Sequence, residues 1–176
     1  ESERVNTLLT HIQAYLYQKK EWSPYWENSF APALCNRIDR NTGGIVIAAK
    51  TAEGLRVMNQ KIKDRELEKR YLCVIHGTMP QREGKLEGYL WKDEVKKQVY
   101  VRSKPVPGAK TAVTLYRTLA VRNGLSLVEC ELVTGRTHQI RAQFSASGHP
   151  LLGDGKYGSE RDNRRYGRHG QALYSY

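Results

Sequence analysis

The chain has 176 residues, 39% of them hydrophobic, and a formal net charge of +11. That is enough for one domain with a real core, while no apolar run approaches the roughly 18 residues needed to cross a bilayer and the N-terminus carries no signal-peptide pattern. Such an excess of positive charge concerns partners rather than fold: a polyanion is expected, nucleic acid first, with an anionic membrane surface as the alternative. A membrane surface would require a basic amphipathic helix with a clean apolar face. Cys35, Cys73 and Cys130 are far apart and form no C-x-x-C pair. They read as buried, reduced hydrophobes of a cytoplasmic protein rather than zinc ligands or a disulfide framework.

The spacing of Val5, Leu8, Leu9, Ile12 and Leu16 predicts an amphipathic helix over 5–18, with few basic residues before Lys19, so it is read as a core-packing helix. Residues 20–33 are irregular and aromatic, with Trp22, Tyr25, Trp26 and Phe30. Such rings can stack on bases, but packing the loop down is the favoured reading. The apolar run 45–49 is expected to be a buried strand. Thr51 then caps a helix through Lys63, with Leu55, Met58 and Ile62 on one face. From residue 70 the pattern changes to strands over 70–77, 97–102 and 111–121, the last alternating through Ala112, Thr114, Tyr116 and Thr118. Asn123-Gly124 is a hairpin signal, with a returning strand over 125–133. A helix over 138–146 should stop before Gly148 and Pro150. Segments 103–110 and 159–170 invite disorder or mobility. Clustered strands make this an α+β chain with a largely antiparallel mixed sheet and flanking helices, organised as a single domain over 1–176.

Chemistry concentrates in a few strings. Arg37-Ile38-Asp39-Arg40-Asn41-Thr42-Gly43-Gly44 places one carboxylate between two arginines ahead of a turn. Nearby cations favour the ionised acid, suiting it to a nucleophile or fixed charge rather than a proton acceptor. A surface ion-pair cluster is the bland alternative. In Thr134-Gly135-Arg136-Thr137-His138-Gln139-Ile140-Arg141, the predicted helix puts Thr137, Arg141 and Phe144 roughly on one face. Arg141 there either meets a buried carboxylate with two parallel donors or faces water. Gly153-Asp154-Gly155-Lys156-Tyr157-Gly158 fits G-x-G-x-x-G, but a preceding proline and a following polar, arginine-rich stretch exclude a dinucleotide site. The five histidines lack metal-ligand spacing. Arg161, Arg164, Arg165 and Arg168 form a basic strip around Tyr166, favoured as a phosphate contact over a solvated face.

Taken together these strings resemble the RluA-like family of pseudouridine synthases. Asn36 to Gly44 resembles the family's H-R-L-D-x-x-T-S-G segment, with Asn36 where the family usually carries His. Lys69 to Gly77 resembles its K-x-Y-x-a-x-v-x-G segment. Thr134 to Arg141, continuing through Gly148-His149-Pro150, Gly153-Asp154 and Tyr157-Gly158, resembles its T-G-R-T-H-Q-I-R…G-H-P-x-x-G-D…Y-G segment. The resemblance spans about residues 34–158. It implies a pseudouridine synthase catalytic domain, trimmed at both ends and without an S4-like domain. The reaction would turn uridine into its C5-linked isomer in structured ribosomal or transfer RNA, with no cofactor, no metal and no obligatory protein partner, in a monomer. By resemblance Asp39 is the catalytic carboxylate, attacking the sugar or assisting release of the base. Arg141 pairs with it, and Tyr71 lies against the target uracil. Arg37, Arg40, Arg136, Arg161, Arg164, Arg165 and Arg168 are the expected RNA contacts. The competing reading is a non-catalytic RNA-binding protein that keeps the synthase fold.

Overall fold

The computed structural model describes residues 6–167 and 170–176. It divides into two compact units, Glu1–Arg37 with Val46–Leu67, and Ile38–Ile45 with Glu68–Tyr176. Val5, Arg168 and His169 lie outside the described residues.

The first unit opens with helix α1 (Leu8–Gln18), started by a capping box in which Thr7 accepts from the Thr10 amide and the Thr10 side chain returns the contact. Only Leu16 is buried, and Leu8, Tyr15 and Tyr17 are exposed, so its apolar face is thinner than the periodicity predicted. Among the loop aromatics Trp22 and Phe30 are half-buried, whereas Tyr25 and Trp26 are exposed, so the favoured reading that the rings pack the loop down describes two of the four. Strands β1 (Ala33–Leu34) and β3 (Ala48–Ala49) pair antiparallel. Asn36 Oδ1 extends that pairing by accepting from the Ile47 amide at 2.8 Å. The expected buried strand over 45–49 shrinks to two residues of which only Ala49 is buried. Helix α2 (Ala52–Lys63) follows, capped by Thr51 as predicted, with Leu55, Met58 and Ile62 half-buried.

The second unit holds a seven-stranded sheet. Its strands are β2 (Gly43–Gly44), β4 (Arg70–His76), β5 (Glu83–Asp93), β6 (Gln98–Arg102), β7 (Lys110–Arg122), β8 (Leu125–Leu132) and β9 (Leu173–Ser175). They lie in the order β2-β9-β4-β8-β7-β5-β6, all antiparallel except β2 with β9. Burial alternates along β7 through Ala112, Thr114, Tyr116 and Thr118, as a half-buried strand requires. Asn123 and Gly124, at φ 53° and 75°, turn β7 into β8, the left-handed pair that a tight hairpin demands. Strand β5 has no counterpart in the sequence reading. Each of its glycines faces a cross-strand side chain: a Cβ at Gly84 would press on the Tyr116 ring, and one at Gly88 on the Val101 side chain.

Helix α3 (Gln139–Ala146) lies on this sheet and buries Gln139 to Phe144. Ile140 and Phe144 join Cys73, Ile75, Tyr116, Val128 and Cys130 in the core. Two buried amides one turn apart dock the helix. Gln139 Nε2 donates to the Val113 carbonyl and to Thr114 Oγ1, while Gln143 Nε2 donates to the carbonyls of Leu86 and Ala112. Thr114 Oγ1 in turn donates to Gln143 Oε1 at 2.6 Å. A buried amide is costly unless its donors and acceptor are met, so this network fixes the helix axially against β7. Segment 159–170, expected to be disordered or mobile, instead contains helix α4 (Glu160–Arg165), capped by Ser159 with acids in its first turn and arginines in its last.

Candidate active site

Asp39 sits at the start of a tight turn. The Thr42 amide donates to its carbonyl at 3.0 Å, and Asn41 takes φ 67°. Two further contacts hold the turn. Gln171 Nε2 donates to the Arg40 carbonyl at 2.7 Å and to Thr42 Oγ1 at 3.1 Å. Gly43 and Gly44 then run beside β9, paired with Tyr174 and Ser175. Gly44 sits at φ +106° with the Ser175 backbone where a Cβ would be.

The guanidinium of Arg141, only 7% exposed, arrives from α3. Its principal partner is Asp154: Nε donates to Oδ2 at 2.7 Å and Nη2 to Oδ1 at 3.1 Å. Nη1 reaches Asp39 Oδ2 at 3.4 Å. The sequence left Arg141 between a buried carboxylate and water. It meets the carboxylate, but the acid gripped with two parallel bonds is Asp154, and Asp39 receives the remaining, longer contact. Arg40, next to Asp39 in the chain, is exposed, and the ion pair described for Asp39 comes from Arg141.

Asp154 is fully buried, and its Oδ1 also accepts from the amides of Lys156 and Tyr157. Burial alone would raise its carboxyl. The Arg141 hydrogen bonds and charge, with those two amides, outweigh burial and hold it below the ordinary aspartate value. On Arg141 burial opposes the charge, and the two acids overcome it and push the guanidinium higher. Truncating either member of the Arg141–Asp154 pair would strand a buried charge at a cost of about 3–5 kcal/mol.

Three aromatic side chains complete the surroundings. His138 enters α3 at φ 53°, and its Nδ1 lies 2.8 Å from Tyr157 Oη. The Val99 amide donates to that same oxygen. Burial lowers the His138 pKa, the Asp39 charge opposes this, and Arg141 and Lys156 reinforce it. The Arg141 guanidinium lies over the Tyr157 ring, 5.0 Å from its centroid. Tyr71 is half-buried on β4, beside Ser175 of β9. Burial raises its phenol, Ser175 draws it back, and the charge of Asp39 raises it again, leaving it above the usual tyrosine value.

Asp39, Tyr71 and Arg141 therefore gather in the second unit. The expected RNA contacts are spread more widely. Arg37 and Arg40 are exposed, and Arg136, also exposed, donates from Nε to the Thr111 carbonyl. On α4, Arg161 is exposed, Arg164 pairs with Glu160 at 2.9 Å, and Arg165 lies over the Tyr166 ring. Arg168 is outside the described residues. The sequence reading assigned no role to Asp154, Tyr157 or Gln171. The first two stand inside a quoted motif, but Gln171 carries no local signal. Among the described residues no cluster of His, Cys, Asp and Glu could hold a metal, and no helix is long and apolar enough to cross a membrane.

The comparisons with known proteins agree with one another. An uncharacterized RNA pseudouridine synthase of Mycoplasma genitalium is 38% identical over 153 residues, covering 84% of this chain and 46% of its own length. The Ribosomal large subunit pseudouridine synthase D of Zymomonas mobilis is 36% identical over 127 residues, covering 72% of this chain and 39% of its own. This chain thus spans less than half the length of these curated relatives. Human RNA Pseudouridylate Synthase Domain Containing 1 superposes with a TM-score of 0.73 at 23% identity, over 82% of this chain and 62% of that one, and so shares the fold. Residues 5–146 match the RNA pseudouridylate synthase family over most of the chain, and the chain belongs to that family.

Proposed function

We propose that this protein is an RNA pseudouridine synthase that uses Asp39 as its catalytic carboxylate. The observation that carries the reading is the sharing of Arg141. Asp154 immobilises the guanidinium with two bonds, and its third edge is turned to a carboxylate that remains partly open, with 19% of the Asp39 side chain exposed. A fixed cation beside a reachable acid suits an anionic group that must act on a substrate.

In the reaction the C1′–N1 bond of uridine breaks, the uracil turns, and a C1′–C5 bond forms. The C5 proton leaves and N1 gains one, so nothing is oxidised and no water is consumed. Asp39 acts at the sugar carbon or on the detached base, Arg141 keeps it oriented, and Tyr71 lies against the uracil with its hydroxyl protonated. The target nucleotide must leave its stack, at a cost of a few kcal/mol. Arg37, Arg40, Arg136 and the arginines of 161–168 would offset that cost through phosphate contacts. The substrate is structured RNA, ribosomal or transfer. Ribosomal RNA is favoured because the Zymomonas and Borreliella relatives are named for the large ribosomal subunit. The protein acts as a cytoplasmic monomer.

The test incubates the protein and its Asp39→Asn variant with total RNA from a strain lacking the gene, then maps pseudouridine by a carbodiimide primer-stop assay. New stops are expected with the wild type alone, with RNA affinity nearly equal for the two. Stops of comparable strength with the variant would remove Asp39 from the chemistry. RNA bound by the wild type without any stops would favour a binding protein that keeps the fold.

A further inference from the structure

Asn163 is the buried residue of α4, and nothing in the proposed chemistry uses it. Its carboxamide brackets one dipeptide. Oδ1 accepts from the Gly153 amide at 2.7 Å, and Nδ2 donates to the Asp154 carbonyl at 3.1 Å. That carbonyl also accepts from the Gly158 amide, and Gly158 leaves the room: a Cβ there would collide with the Asp154 oxygen. Further along, the Asp154 carboxylate holds Arg141, and Arg141 holds Asp39. Three links therefore join α4 to the carboxylate proposed to react. The last link is the longest, 3.4 Å, where hydrogen bonding is already weak. A small displacement of the Gly153–Asp154 turn is thus felt most at Asp39. Helix α4 itself is anchored, since Tyr166 Oη donates to the Asn123 carbonyl at 2.8 Å and the His76 ring stands against both Asn163 and Tyr166. Its exposed positions carry Arg161, Arg164 and Arg165.

We propose that Asn163 is a positioning residue for the isomerisation. It fixes the turn from which Asp154 presents Arg141 to Asp39, and it thereby makes the arginine-bearing helix α4 part of the scaffold that sets the reacting carboxylate. This rests on the function proposed above.

The experiment compares wild type, Asn163→Ala and Asn163→Asp in single-turnover reactions with excess protein on total RNA from the strain lacking the gene, at rising protein concentration. The Asp variant keeps the acceptor for Gly153 and sets an oxygen against the Asp154 carbonyl, so it isolates that contact, and Asn163→Ser, which keeps a small polar group without a buried charge, serves if either variant does not fold. The expected result is a saturating rate at least about tenfold below wild type, the effect of losing the contact to the Asp154 carbonyl that both variants lack, with the half-saturating concentration within about twofold. In parallel, the free protein labelled with 15N-arginine reports hydrogen exchange at Arg141 Nε–H, expected to be faster in both variants. Rates equal to wild type in the folded variants, or a change confined to half-saturation, would overturn the proposal. An inactive wild type would instead overturn the proposed function. The exchange measurement would then decide the link from Asn163 to Arg141, and unchanged exchange would refute it.

Discussion

Tyr71 and Arg141 are each defined by what surrounds a single polar group. Burial and the nearby Asp39 charge hold the Tyr71 phenol above its usual pKa, against the pull of Ser175, so at neutral pH it is a hydroxyl and not a phenolate. It can stack and donate a hydrogen bond, but it is not poised to take a proton. Tyr71→Phe keeps the ring and removes the hydroxyl. Filter binding should give an unchanged RNA affinity, while the single-turnover rate should fall at least about tenfold with the loss of the hydrogen bond that the hydroxyl donates near the reacting carbon. A rate equal to wild type would confine Tyr71 to stacking. Arg141 obeys a different constraint. A buried guanidinium needs its donors met, and Asp154 meets two of them with an acid that burial alone would have kept neutral. Asp154 therefore makes a charged Arg141 tolerable inside the unit and leaves Asp39 its exposure.

The turn between Asp39 and β9 shows how an element places a residue. Gly44 combines φ +106° with direct backbone contact on Ser175, and the Ile45 amide continues the pairing by donating to the Ser175 carbonyl at 3.0 Å. Gly44→Ala adds both a disfavoured conformation and a clash, so urea unfolding should show a loss of at least about 2 kcal/mol. An unchanged midpoint would mean that β2 is not held against β9 as described. Elsewhere, legibility followed whether one face is buried. Strand β7 could be read because its inward positions alternate cleanly, whereas β5 was hidden because Gly84 and Gly88 owe their places to Tyr116 and Val101 across the sheet. The run 45–49 misled for the opposite reason: its residues are apolar, yet Ile45 is 58% exposed and it is backbone pairing that holds it. Six-residue α4 is too short for periodicity, although its Ser159 cap and terminal charges were in view. Of the site, Asp39, Tyr71 and Arg141 could be named from motifs. That Arg141 belongs first to Asp154, and that Gln171 and Asn163 hold the two turns, depends on contacts between distant segments that no local pattern encodes.

At the scale of the whole molecule the dominant quantity is charge, with 29 Lys and Arg against 18 Asp and Glu. Helix α4 samples that excess in small: Arg161, Arg164 and Arg165 face Glu160 and Asp162, a margin of one. The Arg164–Glu160 pair is exposed on both sides, and such pairs are worth at most about 1 kcal/mol. A phosphate can therefore take Arg164 from Glu160 at little cost, and the exposed Arg165 lies over the Tyr166 ring. If both arginines contact RNA backbone, binding should release counterions in proportion, roughly 0.7–0.9 in the salt slope for each contact. The double variant Arg164→Ala with Arg165→Ala should bind total RNA more weakly at low salt, and its plot of log affinity against log salt should be shallower by about 1.5. Nitrocellulose filter binding over a salt series reads both quantities from one data set. A weaker affinity with an unchanged slope would mean that the substitutions disturbed α4 without removing phosphate contacts. An unchanged affinity and slope would make these two arginines a solvated face, leaving the other expected contacts, Arg37, Arg40, Arg136, Arg161 and Arg168, to carry the electrostatic share of binding.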